Sequence, residues 1–306
     1  MLYPLILTPV FKEYLWGGTR LKQLYNKVTD FEKIAESWEL STHRDGVCGI
    51  ENGYFAGRMF TEYLQSAGLQ VLGTNAKTDE LPVLIKYIDS SSGLSVQVHP
   101  DDAYARRQGE PYGKTEFWYI VDCGPDAWLY YGTEEGTEFT KEEFIRRAKD
   151  GSIVDLLKKV PVKKGDAFYI EPGTVHAIGK DMTVVEVGTN CNITYRIFDF
   201  NRTDKDGNAR PLHLEDAAAI IKPGAGSQQW ENGRIDCSDF VVTELRVNGI
   251  LDLLCDERSF HCLMCIEGNV MIDRAVQMNP GSTVFIPAGL GGYTLRGEGT
   301  VLAVSI

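Results

Sequence analysis

One recurring pattern constrains the fold of this chain more than any other. Gly165-Asp-Ala-Phe-Tyr-Ile-Glu-Pro-Gly-Thr-Val-His176 and Gly281-Ser-Thr-Val-Phe-Ile-Pro-Ala-Gly-Leu-Gly-Gly292 both run as glycine turn, apolar strand, proline and second glycine turn. A second pair of segments matches as well: Glu116-Phe-Trp-Tyr-Ile-Val-Asp-Cys-Gly124 and Phe260-His-Cys-Leu-Met-Cys-Ile-Glu-Gly268. The two copies share a strand-and-turn pattern, so the chain reads as two related β modules. Their polar residues differ: Gly292 stands where the first copy has His176, and Phe260 where it has Glu116.

The remaining sequence agrees with a β-rich reading. Leu81–Ile88, Leu94–His99, Glu116–Cys123, Ala127–Tyr131, Ala167–Ile170, Thr183–Val187 and Thr194–Phe198 are short, rich in β-branched or aromatic residues, and bounded by turn formers. After the linker-like run Lys222-Pro-Gly-Ala-Gly-Ser227 the chain reads almost wholly as strands: Val241–Val247, Gly249–Leu254, Phe260–Ile266, Asn269–Ile272, Thr283–Ile286 and Tyr293–Arg296. Helices are expected around Phe60–Ala67, at 101–108, within 140–159 and at 213–221; Thr140 with Glu143 has the capping-box spacing. Many short antiparallel strands mean a sandwich, jelly roll or barrel. The expected organisation is mainly β, with residues 1–222 as a first module carrying inserted helices and residues 223–306 as a second.

Composition narrows the partners. With 43 acidic against 31 basic residues the net charge is −12, and a general nucleic-acid binder needs a basic face to release phosphate counterions. No run approaches the roughly 20 apolar residues of a membrane helix. The apolar start, Met1 to Phe11, lacks a basic leader and a small-residue cleavage site. Seven cysteines, an odd number, argue for free thiols in a reducing cytosol. Cys255, His261, Cys262 and Cys265 do not read as a zinc knuckle, since Cys262 and Cys265 point to opposite faces of a strand.

Chemistry concentrates in the first module. On a strand, Ser95, Gln97 and His99 share a face. Glu116 opens another strand ahead of three aromatics, and His176 follows a Pro-Gly-Thr turn at a strand mouth. Gln97, His99, Glu116 and His176 form a mixed N/O donor set suited to Zn²⁺, Fe²⁺, Mn²⁺ or Co²⁺. Three or four protein ligands leave a position for water or substrate, as in a catalytic site.

At this point a resemblance becomes specific. Gly165 to His176 resembles the second cupin motif, and Gln97-Val-His99 with Glu116 resembles a variant of the first. Six segments in order resemble class I mannose-6-phosphate isomerases (phosphomannose isomerases) of the short bacterial form: Tyr14 to Gly18, Glu36 to Ser41, Gln97 to Asp102, Gly113 to Glu116, Pro172 to Ile178, and Thr194 to Asp199. The resemblance implies two linked cupin-type modules, the second degenerate and metal-free. It implies a metal-dependent aldose–ketose isomerase interconverting mannose 6-phosphate and fructose 6-phosphate through a cis-enediol, with one Zn²⁺ (or another divalent ion) per chain. His99, Glu116 and His176 fall on the family's metal ligands, Gln97 on a fourth ligand of some members, and Arg196 on the active-site arginine. Lys114 and Lys86 match pocket lysines; with Ser95 they are the candidates for the phosphate. The chain departs from the family just before Arg196, where Gly188-Thr189-Asn190-Cys191-Asn192 replaces the more usual Gln-Gln-Ser-Ser-Asp type of run.

Isomerisation moves a proton between C1 and C2 and needs a base and a positive centre. Arg196, a permanent cation, suits charge stabilisation or orientation rather than proton abstraction. Water activated by the metal, Lys114, Asp199 and Glu186 are candidates for the base, and burial near a dication could lower the pKa of Lys114. Two rivals are an Fe²⁺ dioxygenase on the same scaffold and a non-catalytic sugar-phosphate-binding cupin. The expected partners are a small anionic sugar phosphate and at most a second copy of the chain, with no nucleic acid and no membrane, in the cytoplasm.

Overall fold

The computed structural model describes residues 2–224, 226 and 229–306. The linker-like run reaches Ala225 and Ser227, which lie outside the described residues, as does Met1 of the apolar start. In chain order the strands are β1 (Leu5–Thr8), β2 (Val10–Lys12), β3 (Glu36–Leu40), β4 (Gly49–Ile50), β5 (Val83–Ser90), β6 (Val96–Val98), β7 (Glu116–Cys123), β8 (Trp128–Thr133), β9 (Leu157–Pro161), β10 (Ala167–Ile170), β11 (His176–Ile178), β12 (Met182–Thr189), β13 (Tyr195–Phe198), β14 (Arg234–Asp236), β15 (Val241–Cys255), β16 (His261–Ile272), β17 (Val276–Met278), β18 (Thr283–Ile286) and β19 (Gly291–Ser305). The α-helices are α1 (Arg20–Leu24), α2 (Phe60–Ala67), α3 (Asp102–Arg107), α4 (Lys141–Asp150) and α5 (Leu214–Ile220). The mainly β expectation holds, and α2 to α5 fall where the punctuation placed helices. At α4 the Thr140 hydroxyl accepts the Glu143 N–H at 3.1 Å, closing the first turn.

Two compact units make up the chain. The first comprises Met1–Glu13, Thr19–Tyr87 and Trp230–Ile306; the second comprises Tyr14–Gly18 and Ile88–Gln229. This grouping is discontinuous, unlike the contiguous expectation of 1–222 and 223–306. The cause is strand pairing: β1 lies antiparallel on β18, with Leu5 opposite Phe285, so the start of the chain closes a strand edge near its end.

In the first unit the sheet order is β14-β15-β19-β16-β18-β1-β4, with β17 also paired to β16. Its core includes Leu263, Cys265, Val270, Ile272, Val284, Ile286, Leu295 and Val301. Several expected short strands are merged here. Val241–Val247 and Gly249–Leu254 are one strand, because the expected turn at Asn248-Gly249 continues the ladder, Asn248 facing Glu298 and Gly249 facing Gly297. Phe260–Ile266 and Asn269–Ile272 likewise merge into β16, through an irregularity between Cys265 and Glu267.

The repeat is visible in the pairing, with one correction. β16 lies between β18 and β19, as β7 lies between β10 and β12. In the first copy Ile170 faces Glu116; in the second Ile286 faces His261. The register differs by one residue from the sequence match, so His261 rather than Phe260 takes the place of Glu116. A slip of one exchanges the two faces of a strand. Phe260 is instead fully buried, stacked on Phe285 at 5.1 Å.

The second unit is built on two strand groups, β13-β6-β11-β8-β9 and β10-β7-β12. Alternation assigns their faces. Val96 and Val98, Val175 and Ala177, and Tyr195 and Ile197 join one core with Phe144 and Ala148 of α4 and Ala217 of α5. The residues between them, Gln97, His176 and Arg196, must point away from that helix-covered face. Register then lines them up: His176 faces Gln97 across β11 and β6, and Arg196 faces Gln97 across β13 and β6.

Candidate active site

The helix-free face of β6 and β11 meets the first residue of β7. Ligand atoms of His99, Glu116 and His176 all lie within 4.8 Å of one another, and all three residues are buried. His99 Nε2 is 3.4 Å from Glu116 Oε1, and His176 Nε2 is 3.7 Å from Glu116 Oε2. Both Nε2 atoms and Glu116 Oε2 lack a hydrogen-bond partner, while Glu116 Oε1 is ion-paired with the Lys114 ammonium. Buried polar atoms are ordinarily paired, so three unpaired acceptors converging on one carboxylate call for a cation.

The imidazoles are set up for that cation by their other nitrogens. His99 Nδ1 lies 2.8 Å from the Ile193 carbonyl, and His176 Nδ1 lies 2.9 Å from the Thr174 carbonyl. A carbonyl oxygen can only accept, so each Nδ1 carries the proton and each Nε2 presents a lone pair. This is the arrangement that orients metal-bound histidines. Burial disfavours the imidazolium forms: His99 is pushed down to about 4 by burial and by the Lys114 charge, against the pull of Glu116, and burial also lowers His176. The Trp118 ring stands edge-on to His176 at 5.1 Å and walls the site. A metal therefore fits these residues, and neutral nitrogens with a carboxylate suit a divalent ion such as Zn²⁺, Fe²⁺, Mn²⁺ or Co²⁺. Gln97 is buried beside them, opposite His176.

Around this centre lie two cations. Lys114 Nζ is 2.5 Å from Glu116 Oε1 and 3.6 Å from Glu186 Oε1. Burial alone would lower its pKa, but Glu116 and Glu186 outweigh burial and raise it. Beside these two carboxylates Lys114 is held as an ammonium. Arg196 donates from Nη1 to the Pro211 carbonyl at 2.8 Å, and its buried Nε has no partner. Glu186 Oε2 accepts the Trp118 indole N–H at 3.3 Å. Ser95 is buried just ahead of β6. Lys86 belongs to the first unit, where its Nζ lies 3.6 Å from Glu36 Oε2 and 5.0 Å from the centre of the Trp38 ring.

Two contributions escaped sequence reasoning. Asp199, a candidate base, is clamped by Arg210, through Nε at 2.8 Å and Nη2 at 2.5 Å, and by Arg202 Nη2 at 2.5 Å. Burial would raise it, but the two guanidiniums hold it below the usual carboxylate range, which leaves it little capacity as a base. His213 stands at the N-cap position of α5; its ring accepts the Arg196 backbone N–H at 3.1 Å, and its backbone N–H donates to the Arg196 carbonyl at 2.8 Å. It locks the backbone of the arginine. No local sequence pattern marks either contact.

Comparison with known proteins points the same way. Residues 5–117 match the model "Phosphomannose isomerase type I, catalytic domain", and residues 234–306 match "Mannose-6-phosphate isomerase, cupin domain". Mannose-6-phosphate isomerase ManA of Bacillus subtilis is 34% identical over 309 residues, covering 96% of each chain. The crystal structure of the mannose 6-phosphate isomerase from Bacillus subtilis superposes with a TM-score of 0.90 at 31% identity, covering 99% of both chains. A mannose 6-phosphate isomerase bound with zinc and yttrium shares the fold at a TM-score of 0.74 and 16% identity, covering 98% of both chains. The catalytic-domain match takes in His99 and Glu116, and the identity to ManA runs through nearly the whole of both chains; the chain belongs to the type I mannose-6-phosphate isomerase family.

Proposed function

We propose that this protein interconverts mannose 6-phosphate and fructose 6-phosphate, using one divalent ion, Zn²⁺ by donor chemistry, held by His99 Nε2, Glu116 and His176 Nε2, with Gln97 as a fourth ligand. The observation that carries this reading is the cluster of His99, Glu116 and His176, whose ligand atoms lie within 4.8 Å of one another and include three unpaired buried acceptors. When bound, the metal supplies Lewis-acid polarisation of the sugar oxygens.

The chain's own residues supply the rest. The reaction removes a proton from C2 of the aldose and returns one to C1, with negative charge growing on oxygen between the two events. Arg196 contributes a cation on the Gln97 rung, suited to holding that oxygen, and His213 keeps its backbone in place. Lys114, paired with Glu116 and Glu186, contributes the second cation and a transferable proton. Glu186, bonded through Oε2 to Trp118 and next to Lys114, is the carboxylate left to exchange protons with the substrate once Asp199 is committed to its two arginines. Ser95 is assigned to the phosphate end. The buried walls of Trp118 and the strands keep bulk water from competing with these charges.

The test is turnover of mannose 6-phosphate by the purified, Zn²⁺-loaded protein, read as fructose 6-phosphate formed. Formation well above a metal-free control supports the reading. Binding of the sugar phosphate without any turnover overturns it.

A further inference from the structure

The segment Gly113-Lys114-Thr115 carries a proposed catalytic cation into β7, yet it belongs to no regular element. Buried backbone groups outside a ladder must find partners elsewhere, and five of the six here are accounted for. The Gly113 N–H donates to Asp102 Oδ1 at 2.9 Å, and the Lys114 N–H to the Pro100 carbonyl at 2.9 Å. The other three bonds all come from Thr189. Its hydroxyl donates to the Gly113 carbonyl at 2.7 Å and accepts the Thr115 N–H at 3.3 Å. Its backbone N–H donates to the Thr115 carbonyl at 3.1 Å. One buried threonine thus brackets Lys114 on both sides.

Thr189 lies in the run where this chain departs from the usual family pattern. Its neighbour Gly188 faces Glu116 in the β12–β7 register, and a Cβ there would come within 3.0 Å of the Thr115 carbonyl oxygen. A side chain at this position would crowd that oxygen, so glycine eases the close approach of β12 that lets the hydroxyl reach across. Gly188 and Thr189 act together: the first permits the approach and the second makes the bonds.

We propose that Thr189 is a positioning residue for catalysis, whose hydroxyl fixes the backbone on either side of Lys114 and so aims its ammonium. This rests on the functional reading given to Lys114 above. A hydroxyl clasp differs from plain packing in a testable way, because valine keeps the shape of threonine and loses the hydroxyl, whereas serine keeps the hydroxyl and loses the methyl group.

The experiment compares wild type, Thr189→Val, Thr189→Ser, Lys114→Ala and the Lys114→Ala/Thr189→Val double variant in the Zn²⁺-loaded full chain, measuring kcat, KM for mannose 6-phosphate, and bound Zn²⁺. Misplacing a reacting group by about 1 Å costs on the order of 100-fold. The expected result for Thr189→Val is therefore a roughly 10- to 100-fold fall in kcat, with KM within about threefold and Zn²⁺ stoichiometry unchanged. Thr189→Ser should stay within about threefold of wild type. In the Lys114→Ala background the valine change should add little, because the group it positions is gone. The proposal is overturned if Thr189→Val retains wild-type kcat, if serine is as impaired as valine, or if valine costs as much without Lys114 as with it. Should the valine variant not fold, Thr189→Ala against Thr189→Ser makes the same comparison. Failure of the isomerase reading would show in the wild-type arm; failure of the positioning role shows only in the variants.

Discussion

The proton on each Nδ1 decides what His99 and His176 can do. Backbone carbonyls of Ile193 and Thr174 take those protons as hydrogen bonds, burial keeps the rings neutral, and both Nε2 lone pairs are left facing Glu116. Arg196 differs in kind: it faces Gln97 but lies outside the group of three ligands. Arg196→Ala should keep its bound metal and lose about 100-fold or more in kcat, a size typical of removing one charge-stabilising donor; retention of kcat within threefold would contradict the role assigned to it. Asp199 yields a prediction with a definite pH direction. Its folded-state pKa is depressed by Arg210 and Arg202 against the opposing effect of burial. The stability it contributes is present above the unfolded value, near 3.9, and is lost as pH falls through the folded value. Asp199→Asn should cost about 2 kcal/mol at pH 7 and progressively less below pH 4, measured by urea unfolding at both pH values. The grouping of His99, Glu116 and His176 was legible in the sequence because the family motifs name these positions together. The Asp199 clamp and the His213 contact were not, because both depend on how residues 200–213 fold back, and no periodicity encodes that.

Alternation turns ordinary strands into a site. In β6, β11 and β13 one face carries valine, alanine, isoleucine and tyrosine onto α4 and α5, and the other carries Gln97, His176 and Arg196. The two faces are separable, which makes a prediction at this scale. Phe144 of α4 is fully buried on the helix side. Phe144→Ala should destabilise the protein by about 3–5 kcal/mol, while the metal bound per folded chain stays unchanged; loss of metal from the folded variant would show that the faces are coupled. Short strands with clear turns, such as β7 and β10, were read from sequence to the residue. The long strands β15, β16 and β19 were broken too early, since Gly249 and Gly268 read as turns when taken alone. In the sheet each continues the ladder opposite another glycine, Gly297 and Gly299, and only the partner strand reveals this. The same limit explains the one-residue error in the repeat: apolar runs align by composition, whereas register depends on pairing.

The chain as a whole carries a net charge of −12, yet its proposed substrate is an anion. The proposed reading resolves the difference locally: Lys114 and Arg196 in the second unit, with a divalent ion, would supply positive charge that acts at short range while the exposed carboxylates are screened. The two-module expectation survives in the matched strand orders of the two copies. The division at residue 222 does not follow the compact units, because a terminal strand can pair far away in sequence, as β1 does with β18. The central claim is that the cation at His99, Glu116 and His176 makes this chain an isomerase. The most direct test is to strip the purified protein with a chelator, titrate Zn²⁺ back, and follow turnover of mannose 6-phosphate alongside bound metal, with His99→Ala treated in parallel. The account predicts that activity vanishes on stripping and returns in proportion to metal, saturating near one ion per chain, while His99→Ala neither binds the ion stoichiometrically nor recovers. Full turnover in the stripped protein, or stoichiometric metal in His99→Ala, would contradict it.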